Sequence, residues 1–176
     1  MGLFNFSKKQ NKSDSFDSFP NLTSYRLYIF LKSGDINKVK AQMDEFYELY
    51  PNEIPFSAQL YQLGPTPWTY LVLNHLPNVG SMSPIWYYLD YLLWMSDSAE
   101  LSFAFAYSVQ AGELPLFASR DFNNPNGDSC TGISNGKHFH ATVPGEEVNW
   151  GQSVSNQFDY VEYIRGYYGV DISTVL

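Results

Sequence analysis

From Ala41 to Ser119 the chain has no lysine and no arginine. Carboxylates are seldom buried without a cation, so Asp44, Glu45, Glu48, Glu53, Asp97, Glu100 and Glu113 are predicted to face solvent. The shortage is regional. Residues 1–40 hold seven basic against three acidic side chains, a balance of +4, whereas residues 41–176 hold three against fifteen, a balance of −12. Neutralising a phosphate backbone needs clustered Lys or Arg, which argues against nucleic acid as the partner of so acidic a body. A basic protein fits such a surface better, although acidity also keeps an aromatic-rich chain in solution.

Other absences narrow the choice further. A single cysteine, Cys130, excludes an intramolecular disulfide framework and a multi-cysteine zinc site, and agrees with a reducing compartment. No apolar run approaches the roughly 20 residues of a membrane-spanning helix. The opening MGLFNFSKKQNK lacks the apolar segment and cleavage site of a secretory signal, and Phe6 stands where myristoylation requires Ser or Thr. The expectation is a cytoplasmic protein without a membrane anchor. Phosphate-loop, dinucleotide-binding, nucleophile-elbow and His-Glu-x-x-His patterns are also missing, which takes most of the support from nucleotide enzymes and the familiar hydrolases.

What the chain has in quantity is aromatic bulk, with 14 Tyr, 13 Phe and 4 Trp. The densest stretch is Pro84 to Met95, PIWYYLDYLLWM, apolar nearly all the way round a helix and therefore predicted to be covered on several sides. Around it the pattern predicts an α+β fold: an N-terminal helical part packed on this central aromatic helix, then a small antiparallel sheet and a closing helix in the second half. Residues 1–18 read as a flexible tail and residues 19–176 as one domain.

Leu22, Tyr25, Leu27, Tyr28, Ile29 and Leu31 read as one helix, and Asp35 caps a second with the stripe Ile36, Val39, Met43, Phe46 and Tyr50. Ser57–Leu63 reads as helix with a hairpin as the alternative, and Thr69–Leu76 stays open between helix and strand. Leu101–Val109 alternates as a strand, although Asp97 and Glu100 have capping-box spacing and keep a helix in play. Leu114–Phe122 pairs with it, Asn123–Gly136 reads as loop, and Lys137–Val143 and Val148–Trp150 form a hairpin about Pro144-Gly145. Phe158, Val161, Ile164 and Tyr168 mark the closing helix, capped at Gly169, with Val170–Ile172 as a possible last strand.

Chemistry-bearing residues gather once, as Asp121, Asp128, Cys130, His138, His140, Glu146 and Glu147. On a strand His138 and His140 share a face about 6.6 Å apart, a spacing that lets two imidazoles approach one metal but recurs on exposed strands without one. Cys130 with a histidine is a candidate nucleophile and base, given proximity and a lowered thiol pKa. Asp90, within the apolar helix, sits either at an exposed edge or buried against Tyr hydroxyls or Arg26.

The MGLFNFSKK opening and the acidic, aromatic-rich composition resemble the small immunity proteins that bacteria keep beside their secreted toxins. The resemblance covers composition and the first nine residues. It implies a tight binder that blocks a basic toxin domain, commonly a nuclease, by presenting carboxylates and tyrosines to a cationic cleft, with no cofactor. The candidate contact face comprises Asp44, Glu45, Glu48, Glu53 and Asp97 with Tyr47, Tyr50 and Tyr61. A metal-dependent hydrolase using His138 and His140 is the alternative, and a scaffold or regulator bound to another cationic partner is the third reading.

Overall fold

A computed structural model describes residues 25–51, 57–74, 85–108, 112–121, 129–142 and 148–176. Eight strands form one wholly antiparallel sheet: β1 (Tyr25–Lys32), β2 (Ser57–Gln62), β3 (Trp68–Asn74), β4 (Ser102–Ser108), β5 (Leu116–Arg120), β6 (Ser129–Ser134), β7 (Lys137–Thr142) and β8 (Val148–Ser153). Three helices accompany it, α1 (Ile36–Leu49), α2 (Ile85–Ser96) and α3 (Tyr160–Tyr168). The spatial order is β2-β3-β1-β4-β5-β6-β7-β8.

This sheet overturns the expected N-terminal helical part. The stretch read as the first helix is β1, which pairs with β3 through Ile29 and Leu71 and with β4 through Phe30 and Phe103. Tyr25, Leu27, Ile29 and Leu31 enter one core while Tyr28 and Phe30 enter another on the opposite face. A strand covered on both faces has no polar alternation, so its apolar run imitates a buried helix. Ser57–Gln62 is likewise a strand, β2, and of the stretch Thr69–Leu76 the described residues, 69–74, belong to strand β3. Ser129–Ser134 is strand β6 instead of loop, and the last strand expected at Val170–Ile172 is replaced by a 3-10 turn at Ile172–Thr174.

Several elements form as their residues dictate. The Asp35 carboxylate accepts hydrogen bonds from the backbone N–H groups of Asn37 (2.9 Å) and Lys38 (3.3 Å), which starts α1 and turns Val39 and Phe46 inward. Asp159 caps α3 in the same way, and Gly169 ends it in the left-handed conformation with φ of 69°. β4 and β7 lie where alternation put them, and β5 returns beside β4 as expected of its partner. The described part of α2 is buried almost all round: Tyr88, Leu89, Tyr91, Leu92, Leu93 and Met95 all lie in the core, and Asp90 is buried with them. Each such large apolar side chain contributes about 1.5–3 kcal/mol. Residues 1–18, Leu22, Pro84, Asp128 and Pro144 to Glu147 lie outside the described residues.

α1 and α2 cover one face of the sheet and α3 with the C-terminal turn covers part of the other. The α3 face is an aromatic layer. Tyr61 stacks on Tyr70 (5.2 Å), Tyr70 on Phe30 (5.7 Å), Phe30 on Phe103 (4.8 Å), and Phe103 meets Tyr168 of α3 (4.5 Å). Asn135 and Gly136, with φ of 50° and 70°, close the β6–β7 hairpin in the left-handed region that a two-residue turn favours.

One glycine is fixed by what lies over it. A Cβ at Gly132 would fall 2.0 Å from the Phe117 carbonyl oxygen and 2.7 Å from the Phe139 ring. Gly132→Ala is therefore expected to lower the unfolding free energy by about 2–4 kcal/mol, because the first neighbour is backbone and the second a ring held in the core. A denaturant titration checks this, and a loss below about 1 kcal/mol would mean that β5 and β7 shift freely.

Burial also pushes the phenol groups of Tyr25, Tyr28 and Tyr168 up from about 10 to about 12. The folded state thus keeps protons that the unfolded state has released. Stability is fully present below pH 10 and falls as pH rises toward 12. Phenolate absorbance should track unfolding in this window; independent titration of these tyrosines in the folded protein would contradict their burial.

Candidate partner-binding face

The expected contact residues separate into groups once the chain is folded. Asp44, Glu45 and Glu48 are exposed on α1, and Asp44 pairs with Lys40 one turn earlier. Among the described residues no cation lies within ion-pair distance of Glu45 or Glu48. Tyr50 turns inward, packing on Phe46 at 5.1 Å and edge-on to Trp94 at 6.2 Å, so it supports α1 more than it faces a partner. Asp97 follows α2 and is paired with Arg120 of β5. Tyr61 belongs to the opposite side of the sheet, on the aromatic layer beside Tyr70, with its hydroxyl donating to Gln59 Oε1 at 2.8 Å. Glu53 lies outside the described residues.

Tyr47 has the most informative surroundings of the set. The Ala58 backbone N–H on β2 donates to the Tyr47 hydroxyl at 3.1 Å, so this side chain ties α1 to the outermost strand. The ring of Tyr91 on α2 lies 6.3 Å from that of Tyr47. Burial raises the pKa of both phenols, and the carboxylate of Asp44 adds to the shift at Tyr91. Asp44 precedes Tyr47 by three positions on the same side of α1, and the Ala58 contact turns that side toward β2.

His138 and His140 do share one face, the α3 face, opposite Ile133 and Thr131 of β6. His138 is exposed and His140 half-buried. Among the described residues no group of three or more His, Cys, Asp or Glu converges to hold a metal. Cys130 pairs with Ala141 and is buried in the core under α1 and α2. Thr131 and Ile133 pair with His140 and His138, and the one-residue step from Cys130 to Thr131 puts the thiol on the opposite face from both imidazoles, which rules out a nucleophile and base pair between Cys130 and either of them. A shallow concavity lined by Lys32, Ser33, Asp35, Lys38 and Glu100 holds two lysines, but Lys32 is already paired with Glu100 at 3.4 Å.

Two participants escaped the sequence reading. Tyr91 sits in an apolar helix and nothing in its neighbours marks its ring as the packing partner of Tyr47. The open edge of β2 was signalled by the alternation of Ser57, Gln59 and Tyr61 with Ala58, Leu60 and Gln62, a weak pattern over six residues. Comparisons with family models, curated proteins and solved structures give no match.

Removing the Tyr47 hydroxyl tests whether it ties α1 to the sheet edge. Tyr47→Phe should cost about 1 kcal/mol and speed hydrogen exchange at the Ala58 amide, because that N–H then faces solvent. Unchanged exchange at Ala58 would show that the bond is not formed in solution.

Proposed function

We propose that this protein binds a basic protein partner and neutralises it, in the manner of the immunity proteins it resembles, in the cytoplasm. The observation that carries the reading is the outer face of α1: Asp44, Glu45 and Glu48 lie exposed in a stretch without lysine or arginine from Ala41 to Ser119. Opposite potential speeds encounter, and the neighbouring aromatic surface supplies apolar contact once solvent is displaced. No helix among the described residues is long and apolar enough to cross a membrane.

Affinity purification from the native host at low and moderate salt, with mass spectrometry of what stays bound, is the direct test. A near-stoichiometric basic protein that associates more slowly as salt rises supports the proposal, and its identity decides between a toxin and another cationic target. With that partner in hand, replacing Asp44, Glu45 and Glu48 by Lys should slow association several-fold at low salt. An unchanged on-rate would remove α1 from the contact. If no protein copurifies, but a first-row metal does and is lost in His138→Ala and His140→Ala, the hydrolase reading replaces this one.

A further inference from the structure

The two ends of the sheet differ in how open they are. At the β8 end the pairing with β7 is broken by a bulge between Lys137 and Phe139, a device that twists an edge away from further pairing. At the β2 end the register with β3 runs without interruption from Ser57 to Gln62. β2 carries no charge and no proline, the usual guards of an exposed edge.

Hydrogen-bond phase shows which groups β2 leaves outward. The Leu63 N–H donates to the Trp68 carbonyl at 2.9 Å, so residues 63, 61, 59 and 57 point their backbone groups at β3. Residues 58, 60 and 62 then point theirs away. The Ala58 N–H confirms this phase, since it reaches Tyr47 on the outer side. Tyr47 satisfies that donor alone, while the N–H and C=O of Leu60 and the C=O of Ala58 remain directed off the sheet. Among the described residues β2 has no neighbouring strand on this side.

We propose that β2 is the docking edge, and that its occupant is an extended, lysine- or arginine-bearing segment of the partner protein, which adds a ninth strand beside Leu60. This rests on the basic-partner reading above and names its mode of contact. The charge argument selects the occupant. Tyr47 of α1 reaches this edge and the exposed Asp44 lies one turn before it on the same side of the helix, so side chains on the α1 side of an added strand meet an acidic helix face. Side chains on its other side meet Tyr61, which is 41% exposed and stacked on Tyr70. A second copy of this chain fits badly, because antiparallel pairing through β2 keeps both α1 helices on one face and sets their carboxylates against each other. Main-chain bonds supply affinity in this mode, and the two flanking surfaces supply selectivity.

The test uses the full chain and a short peptide of alternating lysine and valine as the probe, with amide exchange and chemical shifts read residue by residue. Saturating peptide should slow exchange at the Leu60 amide at least about fivefold and leave β8 amides unchanged. The same peptide N-methylated on alternate backbone nitrogens should give no protection, since it cannot complete the ladder. Binding without Leu60 protection, or equal binding by the N-methylated peptide, overturns the edge while leaving the acidic-surface reading in place. Equal protection by a glutamate-valine peptide keeps the edge but removes the basic-partner reading, and with it the occupant proposed here. Absence of any binding, or Leu60 protection before peptide is added together with a dimer mass in sedimentation, also overturns the proposal.

Discussion

The rest of the structure depends on a strand that has no solvent face for most of its length. β1 lies between β3 and β4, and of its first seven residues only Arg26 is exposed. Tyr25, Leu27, Ile29 and Leu31 anchor α1 and α2; Tyr28 and Phe30 anchor the aromatic layer that leads to α3. Neither core can be built without the same eight residues. Because backbone N–H and C=O groups in such a position must all be paired, both neighbouring strands are obligatory.

The two faces are then put to different uses. On one, the Leu and Met side chains of α2 lie over small sheet residues, Ala104 and Ala106 of β4 and Ala118 of β5, which leave room for the helix to lie close. On the other, rings stack across β2, β3, β1, β4 and β5 until α3 takes over. α3 reaches Phe117 and Phe103 through Tyr163 and Tyr168 but leaves Tyr61 at the margin. The acidic outer face of α1 and the aromatic margin at Tyr61 therefore lie on either side of a single edge strand, and it is Tyr47 that registers one against the other.

Where large and small side chains alternate, or a cap is present, the sequence was readable; where both faces are covered by large apolar side chains, it was not. The strict alternation at Phe103, Phe105 and Tyr107 identified β4, and Asp35 and Gly169 marked the ends of helices, because each signal is local. β1 misled because double burial erases the period that tells strand from helix. β6 was passed over as loop since Cys130, Thr131, Gly132 and Ser134 are small, and Gly132 is small because Phe139 lies against it from the next strand, a fact about another element. The Ser134-Asn135-Gly136-Lys137 turn nonetheless carried a legible hairpin signal. For the site, the acidic stripe of α1 was evident from composition and period. Its alignment with β2 was not, since it rests on one hydroxyl reaching one backbone amide.

The sheet order has a consequence for how the chain is made. β4 to β8 follow one another both in sequence and in space, so each can pair with its predecessor as soon as it leaves the ribosome. β1 emerges first, yet both its partners lie far downstream, with α1, β2 and α2 between. Until β4 appears, half of its hydrogen-bonding groups and both its apolar faces have no permanent cover. Synthesis thus leaves a strand with two apolar faces waiting longest for its partners, behind a segment whose carboxylates favour solubility.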